Sequence, residues 1–463
     1  MIFTPLDARH LEALGALLEP GSLSTGESNL DLHACDQSHH LRCRPEAVVW
    51  PNRAEEVSKI LRYAHEHQIP VTGWGSGSSL EGNPIPVSKG IVIDFSRMNR
   101  ILNIRAQDFQ ADVEPGVIYQ DLNQKLRHCG IFFPPDPGAR ATLGGMIANN
   151  ASGTRTVRYG STKDYVLRLK IALAGGEIIE VGNRASKSSS GYDLLHLFIG
   201  SEGTLGLVVE ATVRLVGIPA ERSAVIATFD SAASAGKAVF EIMRGGLDPA
   251  ALELLSPECI RLINREKSLA LKERPTLFME FSGPSKNQLA EILEIVHSIA
   301  DETHCQEFRS GLGKEEWDTL FKARHELGEM IIRNHPGRGF LTTDVAVPIS
   351  TFPEVLDFAA AASQTLTLPF YIFGHAGDGN IHMAMMGRLG DAADWEAIEA
   401  VNRRLVLKAI SVGGTATGEH GVGIGKRQFM EMEHGTSLAW MKRVKDLFDP
   451  NGILNPGKIF PVP

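Results

Sequence analysis

The sequence predicts an α+β fold in two domains with a returning tail, and three observations carry that prediction. At 463 residues the chain is longer than one compact core ordinarily accommodates. Up to residue 219, short apolar runs such as 167–173 and 205–215 alternate with Gly-rich turns, the pattern of a mixed domain. Beyond Pro219 the texture changes to longer strand–helix units. The first domain is therefore placed at 1–219 (core about 41–219) and the second at 220–415, with 416–463 returning to the first.

Taken in order, residues 1–45 are polar and without periodicity, and no element is assigned to them. A helix follows Pro51: Asn52 stands as its cap, Glu55 completes a capping box, and Val57, Ile60, Leu61 and Ala64 recur at helical spacing. Pro70 and Val71 lead into a Gly/Ser loop at 73–79, and Ile91-Val92-Ile93-Asp94 reads as a strand. In the second domain Thr351 and Glu354 cap one helix, while Trp395, Ile398, Val401 and Leu405 mark another. Leu438, Met441, Val444, Leu447 and Phe448 form a last helix, stopped at Asp449-Pro450.

Composition removes several classes of function. With 43% hydrophobic and 22% charged residues the chain reads as an ordinary folded protein. A net charge of −9 argues against a nucleic-acid partner and against polybasic membrane docking. Neither a signal peptide nor a bilayer-length apolar run is visible, so a cytoplasmic location is expected, with peripheral contact at the inner membrane left open. The five cysteines are scattered, without a C-x-x-C pair, and support neither a disulfide framework nor an iron–sulfur or thiolate zinc site.

Two Gly-rich segments could let backbone N–H groups approach a phosphate: 73–82, and 134–153 with its Thr142-Leu143-Gly144-Gly145 turn. Neither is a dinucleotide fingerprint, because Leu80 stands where a third glycine is required after Gly75-x-Gly77. The tail pattern Gly452-x-x-x-x-Gly457-Lys458 is rejected as a Walker loop, since Ile459 follows it. Either loop alone is as readily an ordinary turn. Two in one domain, joined to Ser201-Glu202-Gly203-Thr204-Leu205-Gly206, favour an anion cradle.

The runs 69–82 and 133–160 and the segment 201–206 resemble the FAD-binding domain of the vanillyl-alcohol-oxidase/p-cresol-methylhydroxylase superfamily, and within it the FAD-linked D-lactate and D-2-hydroxy acid dehydrogenases. The resemblance covers nearly the whole chain. It implies a two-subdomain FAD-binding domain of that type with an α+β substrate (cap) domain. It implies that FAD is held by Pro70, Gly73, Trp74, Gly75, Ser76, Gly77, Ser78 and Ser79, with the pyrophosphate on the loop 73–79. Pro137, Gly138, Thr142, Gly144, Gly145, Asn149, Ala151, Ser152 and Gly153 would line the rest, with Tyr159, Gly160, Glu202, Gly203, Val208 and Asn455. Flavin-tethered relatives carry His or Cys at the attachment point; only serines stand in the first loop here, so non-covalent FAD is expected.

The strongest chemical signal is Gly374-His375-Ala376-Gly377-Asp378-Gly379-Asn380-Ile381-His382, paired with Gly418-Glu419-His420-Gly421. Two imidazoles around a Gly-rich bend can converge on one point, and a later carboxylate adds a third ligand while leaving positions open for substrate. Most single histidines in a chain with 16 of them are surface or satisfied core residues. Asp378, between glycines, suits turn amides. The crowding glycines read here as a wall for close approach by a flat ring. Nitrogen and oxygen ligands suit zinc, and also manganese or iron. Family resemblance implies ligation of one divalent metal, zinc or manganese, by His375, His382 and Glu419, with His420 as base. A 2-hydroxy acid chelates such a metal, its hydroxyl pKa falls, and a base of ordinary pKa about 6.5 can take the proton before hydride leaves for the flavin. The segment Trp317 to His325 resembles the one that supplies a carboxylate-clamping arginine, which makes Arg324 the candidate; otherwise it reads as a solvated helix charge.

Relatives that oxidise D-2-hydroxyglutarate hold its second carboxylate with an Asn, a Thr and a Lys where this chain has Ala384, Gly328 and Thr342. A short or apolar D-2-hydroxy acid, D-lactate first, is therefore expected. The alternatives are the flavin subunit of a glycolate oxidase complex, a D-2-hydroxyglutarate dehydrogenase, and a degenerate flavin-binding assembly protein. Electrons are expected to leave for an external cytochrome, quinone or electron-transfer flavoprotein, and a homodimer is left open.

Overall fold

The computed structural model describes residues 3–311 and 314–462, with the side chains of 314–317 outside that description. The fold is α+β, as the sequence predicts, and divides into two compact units. One comprises Met1–Ser152, Ser161–Ile218 and Glu419–Pro463; the other comprises Gly153–Gly160 and Pro219–Gly418.

In the first unit a four-stranded sheet runs Leu23–Ser24, Ala47–Val49, Ile91–Asp94, Val71–Trp74, and its last three strands are parallel. Parallel strands require a crossover, which helix Ala54–His67 supplies between Ala47–Val49 and Val71–Trp74. Val57, Ile60, Leu61 and Ala64 are wholly buried against Val71, Ile91 and Ile93, as their spacing predicts. Each large aliphatic buried in this way contributes ~1.5–3 kcal/mol. The predicted capping box is corrected. The cap is Arg53, whose side chain makes no capping bond but lies 3.0 Å from Glu56 Oε1, and it is Glu56, on the inner face, that accepts from Asn52 N at 2.8 Å. A second, antiparallel sheet runs Ile101–Arg105, Gln110–Val113, Leu207–Arg214, Val166–Ala172, Ile178–Gly182.

The tail completes this unit. Helix Ser437–Phe448 stops before Asp449-Pro450 as expected, and Leu454 then bridges in parallel to Val71. Lys445 is buried and donates to the carbonyls of Thr204 (2.7 Å) and Leu454 (2.9 Å). Lys458 turns inward to the Ile85 carbonyl, a structural lysine rather than a phosphate ligand. Residues 1–45 are not featureless: they form helices Ala8–Ala16 and Glu27–Leu32 and an edge strand, and Leu14 enters the core.

The second unit is built on one antiparallel sheet in the order Cys305–Ser310, Glu221–Phe229, Thr276–Gly283, Ala251–Leu255, Phe370–His375, Asn380–Arg388, Arg338–Thr342. Helices Pro257–Lys267, Lys314–His325 and Leu327–Arg333 meet it through a core of Ile260, Phe321, Leu327 and Met330 against Phe278, Tyr371 and Ala384. Ile398, Val401 and Leu405 are buried on helix Ala392–Ser411, as predicted. Thr351 stands at the N-cap of helix Phe352–Ser363 as expected, but its side chain makes no capping bond; its hydroxyl donates to the Pro348 carbonyl at 2.9 Å.

Candidate active site

In the first unit, strand Val71–Trp74 delivers the chain into the loop 73–79. A Cβ on Gly75 would lie 2.4 Å from Thr142 Oγ1, and Gly77, at φ +65°, has the Trp74 ring 2.6 Å from its Cβ position. Both positions therefore require glycine. Thr142 caps helix Leu143–Asn149 by accepting from Gly145 N at 3.2 Å, and a Cβ on Gly144 would fall 2.6 Å from Pro115. The structure thus brings the two sequence-predicted loops together. They border a cleft of 960 Å³ that Lys125, His128 and Arg140 also line. A glycine-rich loop with Lys125 and His128 nearby, Arg140 being paired to Asp121 at 3.0 Å, would suit a pyrophosphate.

The other expected cofactor residues take the following places. Ser76 and Ser78 join hydroxyls at 3.1 Å, and Ser79 accepts through its carbonyl from Gln37 N at 3.0 Å. Pro70 and Gly73 frame the strand, Pro137 accepts through its carbonyl from Tyr119 Oη at 2.8 Å, and Val208 sits at a β-bulge. Ala151 accepts from Thr162 N at 3.0 Å. Gly153, Tyr159 and Gly160 belong to the second unit.

Glu419 and His420 open the tail of the first unit. Ser152 Oγ donates to Glu419 Oε2 at 3.0 Å, and Asn149 Nδ2 donates to the His420 carbonyl at 3.3 Å. Glu202, expected at the cofactor, spends its carboxylate on the turn after His420. It accepts from Val422 N (2.6 Å), Gly423 N (2.9 Å) and Asn83 Nδ2 (2.7 Å). Burial pushes this carboxyl up, against the pull of those donors. Asn455 locks the same corner, donating to the carbonyls of Asn83 (3.0 Å) and Glu202 (2.8 Å).

In the second unit the hairpin of strands Phe370–His375 and Asn380–Arg388 carries His375 and His382, both buried, with ring centroids 5.3 Å apart at 86°. His375 Nδ1 lies 2.7 Å from Glu253 Oε1, and His382 Nδ1 lies 3.2 Å from the Thr343 carbonyl. Both partners are acceptors, so each Nδ1 carries the hydrogen and Nε2 is the nitrogen each ring would offer a cation. The donor set of this hairpin therefore fits a divalent metal. Asp344 Oδ1 lies 3.6 Å from His382 Nδ1 and accepts from Asn380 Nδ2 at 3.0 Å.

Arg324 is not a solvated helix charge: it is 6% exposed. Its Nη2 lies 2.6 Å from Glu253 Oε2, and its guanidinium stands 5.0 Å over the Phe373 ring. Burial alone would push the Glu253 carboxyl up, but the Arg324 guanidinium beside it and the hydrogen bond from His375 hold it down. The Nε of Arg324 is buried and meets no acceptor among the described residues, which fits a visiting carboxylate. Trp317, read in the same segment, lies outside the described side chains.

The glycines around the histidines answer to close contacts within the chain. A Cβ on Gly374, Gly377 or Gly379 would fall 2.2 Å from the Asn380 carbonyl, 2.3 Å from Val157 or 2.1 Å from the Val347 carbonyl. They admit neighbouring parts of the chain. Glu253 and Asp344 escaped the sequence reading. For Glu253 the available signal was a carboxylate inside an apolar run, Ala251-Leu252-Glu253-Leu254-Leu255, where a charge is costly unless paired; Asp344 follows two threonines and gave no such signal.

Comparison with known proteins identifies the chain's family. Residues 45–182 match the FAD binding domain family, and residues 218–459 match the family of FAD linked oxidases, C-terminal domain. A probable mitochondrial D-lactate dehydrogenase of Danio rerio is 37% identical over 94% of this chain and 88% of its own length. The mitochondrial D-lactate dehydrogenase [cytochrome] of Arabidopsis thaliana is 38% identical over 90% of this chain and 74% of its own. Among solved structures, 4-ethylphenol oxidase from Gulosibacter chungangensis superposes with a TM-score of 0.81 at 17% identity, covering 100% of this chain and 99% of that one, a likeness of fold.

Proposed function

We infer the reaction from one premise: the chain belongs to the FAD-linked oxidase family, and the D-2-hydroxy acid that it oxidises is D-lactate, with pyruvate as product. The observation that carries the reading is the cluster on one sheet face, where two Nδ1-anchored imidazoles accompany a buried arginine with an unanswered donor. The names of the Danio rerio and Arabidopsis thaliana relatives support D-lactate.

In this reading His375, His382 and Glu419 would hold one divalent cation, zinc or manganese, and the backbone of the loop 73–79 would hold the FAD pyrophosphate. The flavin supplies a hydride acceptor, and the cation lowers the pKa of a chelated hydroxyl. The chain's own groups do the rest. Arg324 receives the substrate carboxylate, the Phe373 ring keeps its guanidinium flat, and an imidazole nitrogen of His420 takes the hydroxyl proton. The relative named for cytochrome supports a cytochrome as the external acceptor. Among the described residues no helix is long and apolar enough to cross a membrane.

FAD is expected to leave with the supernatant when the protein is denatured, since serines occupy the loop where relatives carry a tethering residue. Flavin absorbance in the washed precipitate would overturn non-covalent binding. The experiment that tests the reaction is metal removal. Chelator-treated protein is expected to keep its flavin, because none of the proposed metal ligands lines the cleft beside the loop 73–79, and to lose reduction by D-lactate until zinc or manganese is restored. Full reduction after verified metal removal would contradict the ligand assignment.

A further inference from the structure

We propose that Glu253 is a positioning residue, one carboxylate that sets both the ligating nitrogen of His375 and the orientation of the Arg324 guanidinium. The proposal rests on reading His375 as a metal ligand and Arg324 as the carboxylate clamp.

Glu253 stands in strand Ala251–Leu255 directly opposite His375 in the antiparallel register, so both side chains project to one face of the sheet. Phe373 and His382 are likewise opposite each other on the adjoining pair of strands. Glu253 is 0% exposed in a strand whose other residues are apolar, and a carboxylate there is tolerated only when paired. Its two oxygens are divided between two partners: Oε1 lies 2.7 Å from His375 Nδ1, and Oε2 lies 2.6 Å from Arg324 Nη2.

This division has chemical consequences at both ends. Holding the proton on Nδ1 turns the His375 Nε2 lone pair outward and strengthens it as a ligand. Holding Arg324 by one terminal nitrogen while Phe373 supports the guanidinium fixes the direction of its remaining donors. A substrate carboxylate would then meet an oriented fork at a fixed offset from the cation, which is what a chelating 2-hydroxy acid requires.

The test uses the holoenzyme variants Glu253→Gln and Glu253→Asp. An amide keeps one acceptor oxygen where the carboxylate has two and carries no charge, so it cannot reproduce the division of one oxygen to His375 and the other to Arg324. Two quantities are measured beside melting temperature: zinc affinity by chelator competition, and KM against kcat for flavin reduction by D-lactate. For Glu253→Gln a loss of about 10–100-fold in zinc affinity, or a comparable rise in KM, is expected. Glu253→Asp, whose shorter side chain reaches neither partner well, is expected to impair both. A lowered melting temperature with zinc affinity and KM unchanged in both variants would overturn the proposal and leave Glu253 a purely structural ion pair. Failure of both variants to fold would overturn it too. His375→Ala and Arg324→Ala separate the premise from the proposal. If His375→Ala leaves zinc affinity unchanged and Arg324→Ala leaves KM unchanged, the underlying reading fails. If these two are impaired but the Glu253 variants are not, only the positioning role fails.

Discussion

His420→Ala is expected to lower kcat/KM for D-lactate by about 10²–10⁴-fold, the range of a positioned general base, with flavin and metal content unchanged. The backbone around His420 is secured independently of its imidazole. Asn149 holds its carbonyl, and Glu202 holds the N–H groups of Val422 and Gly423. Truncating the ring should therefore remove proton transfer and leave the turn in place. Rapid mixing of variant and substrate without oxygen isolates this step. A variant that reduces its flavin within tenfold of the wild-type rate would remove His420 from the mechanism.

Comparable in size is the expected preference for D-lactate over D-2-hydroxyglutarate. Ala384 is buried within an apolar cluster, paired across the sheet with Thr342 on one side and Tyr371 on the other. The Thr342 hydroxyl donates to the Thr343 carbonyl at 3.2 Å, and a Cβ on Gly328 would meet nothing within 4 Å. The cation that could have substituted, Arg338, donates to the Met386 carbonyl at 3.0 Å and lies 3.8 Å from Asp394. A second carboxylate directed at Ala384 would be desolvated there and would find neither a cation nor an amide at Ala384, Gly328 or Thr342. A penalty of ~3 kcal/mol corresponds to a preference of more than a hundredfold in kcat/KM. L-lactate is expected to fail because carboxylate and hydroxyl are both held, so the other configuration turns its α-hydrogen away from the flavin. Steady-state kinetics on the three acids check both points; equal efficiency on the dicarboxylate would refute the substrate assignment.

The parts legible in the sequence are those written in local chemistry. Helix Ala54–His67 and strand Ile91–Asp94 follow from periodicity, and the two glycine loops and both histidines follow from residue type and spacing. What was illegible is long-range. Leu14 enters the core from a segment too short to show a period. The capping-box pattern at Asn52 and Glu55 yields to Glu56 because that side chain faces inward. Glu253 lies 122 residues from His375, and only strand register makes them neighbours. Glu202 carries the family's cofactor motif in sequence, yet its carboxylate bonds to a turn 220 residues away.

The most direct test of the whole account is optical. Purified protein, with flavin and metal content verified, is mixed with D-lactate in the absence of oxygen, and the visible flavin absorption is followed. The account predicts bleaching to the reduced spectrum with stoichiometric pyruvate, whereas an unchanged oxidised spectrum in the loaded protein would contradict it.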